Sequence, residues 1–259
     1  MKLRFLGTGT SFGIPVIGCG CATCNSTDPR DRRTRHGALI RSDDNRRALL
    51  VDTPPELRLQ LLEAGVSHID AVWYTHAHAD HTHGIDDLRV FGARSDQRLP
   101  IYADPACAQS LVRRFDYIFD ESRRAAGSPR ALVELRPIGP VDPIEVAGFS
   151  LTPLPVPHGD IHVFGFRVGS LGYLTDAKEL TDQVRARLAG VRYLVLNALW
   201  FGRAHPTHFN IEEAVEAARA VRAEQTYLTH LTHRVSHADL AARLPAGIAP
   251  AYDNLEIEF

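Results

Sequence analysis

One eight-residue stretch, Tyr74-Thr75-His76-Ala77-His78-Ala79-Asp80-His81, limits what this chain can fold into more than any other. Its four metal-grade side chains stand directly behind Ala71-Val72-Trp73-Tyr74, which reads as a short buried strand. His76 and His78 are two positions apart, so on an extended segment both imidazoles leave the same side and can close on one ion. Asp80 and His81 follow at once, and a turn there would aim them at a second ion. The ligands therefore fall where a strand gives way to a loop, a common place for sites in α/β folds. A terminal affinity tag would not be interleaved with Ala and Asp behind a strand.

The remaining pattern supports an α/β chain. Strands are expected at Lys2-Leu6, Ala38-Ile40, Ala48-Val51, Pro100-Tyr102, Leu132-Leu135, Ile144-Pro155, Ile161-Val168, Leu171-Thr175, Tyr193-Leu196, Thr226-Leu228 and Asn254-Phe259. Helices are expected at Glu56-Ala64, Ile85-Ala93, Pro105-Phe119, Glu179-Leu188, Ile211-Val221 and Ala238-Leu244, with a loop over 121–130. Two runs of strands, each closed by helices, fit two packed sheets with helices outside. No linker or repeat interrupts them, so residues 1–259 are read as one domain. Apolar content of 44% in 259 residues suffices for a large core, and a net charge of −2 argues against a nucleic-acid partner. The start of the chain lacks an apolar run long enough for a signal peptide, and no stretch approaches the ~18 apolar residues of a membrane span. The expectation is a cytoplasmic protein that takes no membrane partner; a homodimer is compatible with it.

Of four cysteines, Cys19, Cys21 and Cys24 cluster as C-x-C-x2-C and Cys107 stands alone in a helical pattern. Tightly spaced thiols in a reducing compartment point to tetrahedral zinc, with a fourth ligand from elsewhere. A zinc-binding loop over about residues 18–35 follows, while Cys107 reads as a small buried hydrophobe. The same loop carries Arg30, Arg32, Arg33 and Arg35, either a phosphate-binding patch or, more in keeping with such runs, a solvated loop. Asp52, after a strand and before Pro54-Pro55, is either a carboxylate supporting the site or a helix cap.

More ligand types recur at strand ends: His158 after Leu151–Pro157, Asp176 after Gly172–Thr175, and His230 after Gln225–Thr229. With His76-x-His78-x-Asp80-His81, this set resembles the metallo-β-lactamase-fold hydrolases. The resemblance implies a four-layer αβ/βα sandwich. It also implies that His76, His78 and His158 hold one metal, that Asp80, His81 and His230 hold the other, and that Asp176 bridges them. Imidazole and carboxylate ligands suit divalent ions, here zinc or manganese. Two ions about 3.5–4 Å apart can clamp both oxygens of an in-line displacement, which favours phosphoester hydrolysis.

Gly18-Cys19-Gly20-Cys21-Ala22-Thr23-Cys24 and Leu228-Thr229-His230-Leu231-Thr232-His233 are similar to motifs of one subgroup, the phosphoribosyl cyclic phosphodiesterases of the carbon–phosphorus lyase pathway. The likeness extends over nearly the whole chain. By that resemblance Cys19, Cys21, Cys24 and His233 hold a structural zinc, Asp80 belongs to the catalytic machinery, and His208 is general acid to the leaving group. His205 is its rival for that role. Asn197 departs from the subgroup's Asp, and the Trp200-Phe201-Gly202-Arg203 segment, which also departs from it, is a candidate pocket lining. The expected activity is hydrolysis of a small cyclic phosphodiester. Three alternatives stand beside it: a tRNA 3′-processing endonuclease, a glyoxalase-type thioesterase or lactonase, and a non-catalytic carrier like the pyrroloquinoline quinone biosynthesis protein. The first needs an RNA-binding arm and basic surface that this sequence does not show.

Overall fold

The computed structural model describes residues 1–95, 97–120, 122 and 131–259, with the backbone alone at 93–95; the loop expected over 121–130 lies, Ser122 apart, outside them. The first half of the chain runs β1 (Lys2–Gly7), β2 (Gly37–Arg41), β3 (Ala48–Val51), α1 (Leu57–Glu63), β4 (Ala71–Trp73), α2 (Ala79–Thr82), α3 (Arg89–Ser95), β5 (Leu99–Ala103), α4 (Pro105–Arg114), α5 (Asp116–Phe119) and β6 (Val133–Pro137). The second half runs β7 (Ile144–Val146), β8 (Phe149–His158), β9 (Ile161–Val168), β10 (Leu171–Tyr173), α6 (Asp182–Arg187), β11 (Tyr193–Asn197), α7 (Ile211–Val221), β12 (Gln225–Thr229), α8 (His237–Arg243), β13 (Ile248–Pro250) and β14 (Glu256–Glu258). Among the described residues these strands make two seven-stranded sheets, ordered β14-β1-β2-β3-β4-β5-β6 and β13-β12-β11-β10-β9-β8-β7.

Both faces of each sheet are buried, and the alternation along single strands shows how. In β3, Leu49 and Val51 enter the cluster between the sheets, while Ala48 and Leu50 face the helices of the first half. In β11, Val195 faces the inter-sheet core and Leu194 and Leu196 face the helices of the second half. Three apolar layers thus separate four layers of secondary structure, the expected αβ/βα sandwich. Trp73 ties the two sheets together: its indole N–H donates to the Phe164 carbonyl at 2.8 Å, and its ring meets Phe166 edge-on at 5.5 Å. Among the described residues no helix is long and apolar enough to cross a membrane.

Four local expectations are corrected. The strand read over Ile144-Pro155 is a hairpin, because Ala147 and Gly148 take positive φ (54° and 83°) and turn the chain between β7 and β8. The helix read through Phe119 breaks at Phe115, whose φ of −119° and ψ of 42° leave the helical region. Ile85–Leu88 is a 3₁₀ turn before α3. The strand β13 was not anticipated; three residues between Gly247 and Ala251 are too few to show a period.

The basic run is a solvated loop at Arg30 and Arg32, which are exposed, but not at Arg33. Arg30 is paired with Asp28 at 2.7 Å and Arg35 with Glu56, while Arg33 is fully buried. Arg33 donates to the Thr232 carbonyl at 2.7 Å and the Val235 carbonyl at 3.2 Å, and it meets Asp31 at 3.1 Å. It therefore braces the cysteine loop against the segment that carries His230 and His233.

Candidate metal centres

His76, His78, Asp80, His81, His158, Asp176 and His230 all lie at or just past the C-terminal ends of β4, β8, β10 and β12. Two of them stand on left-handed backbone: Asp176 has φ 54° and His230 has φ 56°, and the supporting Asp52 has φ 62°. Such a conformation is unfavourable for a residue with a Cβ by about 1–2 kcal/mol, but it swings each side chain out of its strand's alternation and toward a common centre.

Ligand atoms of His76, His78, His158 and Asp176 lie within 4.8 Å of one another, and so do those of Asp80, His81 and His230. The Asp176 carboxylate joins the groups. Its Oδ2 is 3.8 Å from His76 Nε2, 3.6 Å from His81 Nε2 and 3.2 Å from His208 Nε2, and its Oδ1 is 3.5 Å from His230 Nε2. Asp80 Oδ2 is 3.5 Å from His81 Nε2 and 3.7 Å from His230 Nε2. Spacings of 3.5–3.8 Å are too long for hydrogen bonds. They are the span between two atoms that share one ion at about 2.0–2.2 Å each. His76 Nε2, His81 Nε2 and both ring nitrogens of His230 are buried with no hydrogen-bond partner among the described residues. Unpaired buried nitrogens are costly by about 1–3 kcal/mol each, and several facing two carboxylates fit a place for cations.

The electrostatics agree. Burial works to raise the Asp80 and Asp176 carboxyls, but the neighbouring imidazoles, His81 for Asp80 and His230 and His81 for Asp176, outweigh it and hold both below the usual carboxylate range. Burial works to lower His81, yet Asp176, Asp80 and Asp52 raise it well above an ordinary histidine. His76, His78 and His158 are lowered, chiefly by burial, which favours the neutral imidazole that a ligand must present; at His81 the surrounding carboxylates hold a proton that a metal ion would displace.

Behind the ligands stand groups that fix their direction. Asp52 accepts from the Thr75 backbone N–H and hydroxyl, each at 2.8 Å, and lies 2.7 Å from His81 Nδ1, which leaves Nε2 for the centre. It supports the site and caps no helix; the residue before α1 is Glu56. His158 Nδ1 lies 2.9 Å from the Thr207 carbonyl, so it carries the proton there. Asn197 accepts from the Ala177 N–H at 2.6 Å and donates to its carbonyl at 3.1 Å, pinning the turn after Asp176. His36 is fully buried behind His81 and His230, with Nε2 2.6 Å from the Tyr173 hydroxyl. Its partners are far away in sequence, and no motif marks it.

His208 stands in the same cavity, of about 380 Å³, lined also by Ser11, His78, Asp80, His158 and Asp176. Its Nδ1 lies 2.9 Å from the Thr207 hydroxyl and 3.2 Å from His205 Nδ1. Its Nε2, aimed at Asp176, brings it within ligand distance of Asp176 and His230. His205 lies one layer further back. The Trp200–Arg203 segment does not line this cavity. Trp200 faces a smaller one of about 260 Å³ with Phe12, Val16 and His233, and the Arg234 guanidinium lies 4.1 Å over its ring.

The second cluster joins Cys19, Cys21, Cys24 and His233, whose Nδ1 is 3.3, 3.4 and 3.6 Å from the three sulfurs. The Cys24 N–H, directed at Cys21, lowers that thiol to about 6, while burial pushes Cys24 up to about 11. His230 and His233 thus serve different clusters from one short segment. Cys107 is buried within the first-half core, as expected.

Residues 47–231 match the family described as a beta-lactamase superfamily domain. The chain belongs to this superfamily of metallo-β-lactamase-fold hydrolases. Its fold and its clustered His and Asp residues are those of divalent-metal-binding hydrolases. Among solved structures it is similar to a diphosphatase of the PhnP family, 39% identical with a TM-score of 0.90, over 100% of this chain and 97% of that one. It is also 35% identical over 257 residues to an octanoyltransferase of Porphyromonas gingivalis (strain ATCC BAA-308 / W83), covering 99% of this chain and 51% of that protein. The chain thus spans about half the length of that relative, whose name describes the whole longer protein. A coenzyme PQQ synthesis protein B of Methylobacterium nodulans (strain LMG 21967 / CNCM I-2342 / ORS 2060) is 27% identical over 232 residues, 76% of this chain and 72% of that one.

Proposed function

We propose that this chain is a dinuclear-metal phosphodiesterase that hydrolyses a small cyclic phosphate. The observation that carries the reading is the Asp176 carboxylate set between two histidine groups, 3.2–3.8 Å from four imidazoles. His76, His78 and His158 would hold one ion, Asp80, His81 and His230 the other, and Asp176 both; zinc and manganese fit the donor set. When bound, two such ions supply Lewis-acid stabilisation of phosphoryl oxygens and an activated water. The chain's own residues do the rest. Asp52 keeps His81 in one orientation, and His208 holds a proton at Nε2 for the departing oxygen. A compact phosphate needs few positioning groups, whereas a polyanion would need many Lys and Arg contacts, and the arginines of the one basic run other than Arg32 are paired. We place the protein in the cytosol, acting on a small molecule without membrane or nucleic-acid partners.

A second reading has one observation in its favour: the PhnP-family neighbour is a diphosphatase. Cleavage of a P–O–P bond uses the same two-ion clamp. The deciding experiment is kcat/KM for a cyclic phosphate (ribose 1,2-cyclic phosphate and a 2′,3′-cyclic nucleotide), a nucleoside diphosphate, a precursor tRNA, a thioester and a lactone under one metal condition. The cyclic phosphate is expected to lead by tenfold or more; a tenfold lead for any other substrate retires the reading.

His208→Ala should keep both ions and lose about 10²–10⁴-fold in kcat, the usual range for general acid–base catalysis. The loss should shrink toward nothing for p-nitrophenyl esters, whose leaving group needs no proton. Loss of metal in this variant would instead make His208 a ligand.

We assign a structural zinc to Cys19, Cys21, Cys24 and His233. Cys21→Ser should release one zinc per chain and lower the melting temperature, because such an ion contributes folding free energy directly. Unchanged zinc content and melting would remove the assignment.

A further inference from the structure

We infer that the cavity beside the metal cluster, walled by the prolines of β8, is a recognition subsite for an aromatic or heteroaromatic ring carried elsewhere on the cyclic phosphate substrate. The inference rests on the phosphate-ester reading above and narrows its substrate class.

The cavity measures about 710 Å³ and shares His76 and His78 with the metal cluster, so its occupant would adjoin the reacting phosphate. Its main wall is set by a sequence pattern. In β8, Pro153, Pro155 and Pro157 alternate with Leu154 and Val156, and the three prolines stand opposite Phe166, Phe164 and His162 of β9. Proline has no N–H, so these cannot be the pairs that exchange both ladder hydrogen bonds. Their ring nitrogens must therefore face the other edge of β8. On that edge β7 pairs only as far as Leu151; beyond it, among the described residues, no strand is added, and the Pro153 and Pro157 carbonyls accept from the Arg187 guanidinium at 2.9 Å and the Lys178 N–H at 3.0 Å. Prolines at every second position leave this edge without donors, which bars strand addition. What remains is a flat, apolar wall.

Pro155 and Pro157 line the cavity, together with Pro140, Ile161 and Phe164. Ser110 and Arg114 on α4, Gln183 on α6, and Asp104, Asp160 and His162 supply polar and charged groups around it. An apolar wall facing convergent polar groups, in this size range, is the usual make-up of a ligand site, and the Arg114 guanidinium suits a phosphate-bearing one. Phe164 and the proline rings offer faces against which a planar ring packs well. The cyclic phosphate group itself would be satisfied by the smaller cavity of about 380 Å³ around Asp80 and Asp176, which leaves the larger one for a ring elsewhere on the same substrate.

The test is isothermal titration of the zinc-loaded protein with phenylphosphonate and methylphosphonate, which differ only in the ring. The phenyl compound should bind about tenfold tighter or more. Ser110→Trp, or Gln183→Trp on the opposite element if the first does not fold, should bring the ratio of the two dissociation constants to within twofold. Uridine monophosphate binding tighter than phenylphosphonate would identify the ring as a nucleobase; the reverse order would identify a simple aryl group. Equal binding of the two phosphonates by the wild-type protein overturns the subsite, whatever the catalytic result. Turnover of uridine 2′,3′-cyclic phosphate and ribose 1,2-cyclic phosphate separates this from the function. A clear phenyl preference with neither diester hydrolysed retires the phosphodiesterase reading and leaves the subsite supported.

Discussion

Asp176→Asn is expected to strip the centre of most of its metal and to lower kcat/KM by about 10³-fold or more. The side chain is fully enclosed, and its two oxygens span both ligand groups: Oδ2 toward His76 and His81, Oδ1 toward His230. Asparagine preserves the size and tolerates the left-handed backbone at this position. It removes the negative charge that lies between two clusters of imidazoles, and it puts an amide N–H₂ where an acceptor is needed. A bound ion is worth several kcal/mol to a phosphoryl transition state, and every 1.4 kcal/mol is about tenfold in rate. Metal analysis and steady-state kinetics read the two effects separately, and melting of the chelated protein checks that the fold persists. Full metal content with more than a tenth of wild-type activity would show that Asp176 joins nothing.

The second large effect is expected at Asp52. Its carboxylate is wholly buried and serves the Thr75 N–H, the Thr75 hydroxyl and His81 Nδ1. Asp52→Ala would leave His81 and Thr75 without that partner and place alanine at φ 62°. Breaking a buried charge pair by removing one member typically destabilises by about 3–5 kcal/mol, and the backbone adds roughly 1 kcal/mol. Asp52→Asn is milder. It keeps the shape and the left-handed turn but no longer dictates which nitrogen of His81 carries the proton. Changing a group that orients a metal-bound histidine usually lowers metal affinity by about 10–100-fold. Urea unfolding and competition with a chelator measure the two consequences. Affinity and stability both within twofold of wild type would mean that His81 is held by the cluster alone.

The positions that were legible in sequence are those whose chemistry is local. His76, His78, Asp80 and His81 are adjacent, and the strand before them is marked by its own apolar run. His158, Asp176 and His230 are single residues at strand ends; they became readable only as a set, through resemblance. Cys19, Cys21 and Cys24 announce themselves by spacing, while His233 is 209 positions beyond Cys24 and meets it only through the fold. What stayed hidden depends on such long-range packing. Asp52 could be a cap or a support until Thr75 and His81 were placed against it. Arg33 looks like one more solvated cation, yet two carbonyls about 200 residues away, Thr232 and Val235, enclose it. His36 is held by Tyr173, 137 positions off, and lies in a segment with no motif. The turn at Ala147-Gly148 was missed because apolar residues continue on both sides of it, so hydrophobicity alone shows one strand where the backbone makes two.

Metal stoichiometry tests the proposed centre most directly. Elemental analysis of the wild-type protein, purified without chelators and saturated with zinc, should give three ions per chain, with two in Cys21→Ser and no more than about one in Asp176→Asn. A wild-type value of one ion per chain or fewer under the same conditions would contradict the two-ion site on which the proposed phosphodiesterase rests.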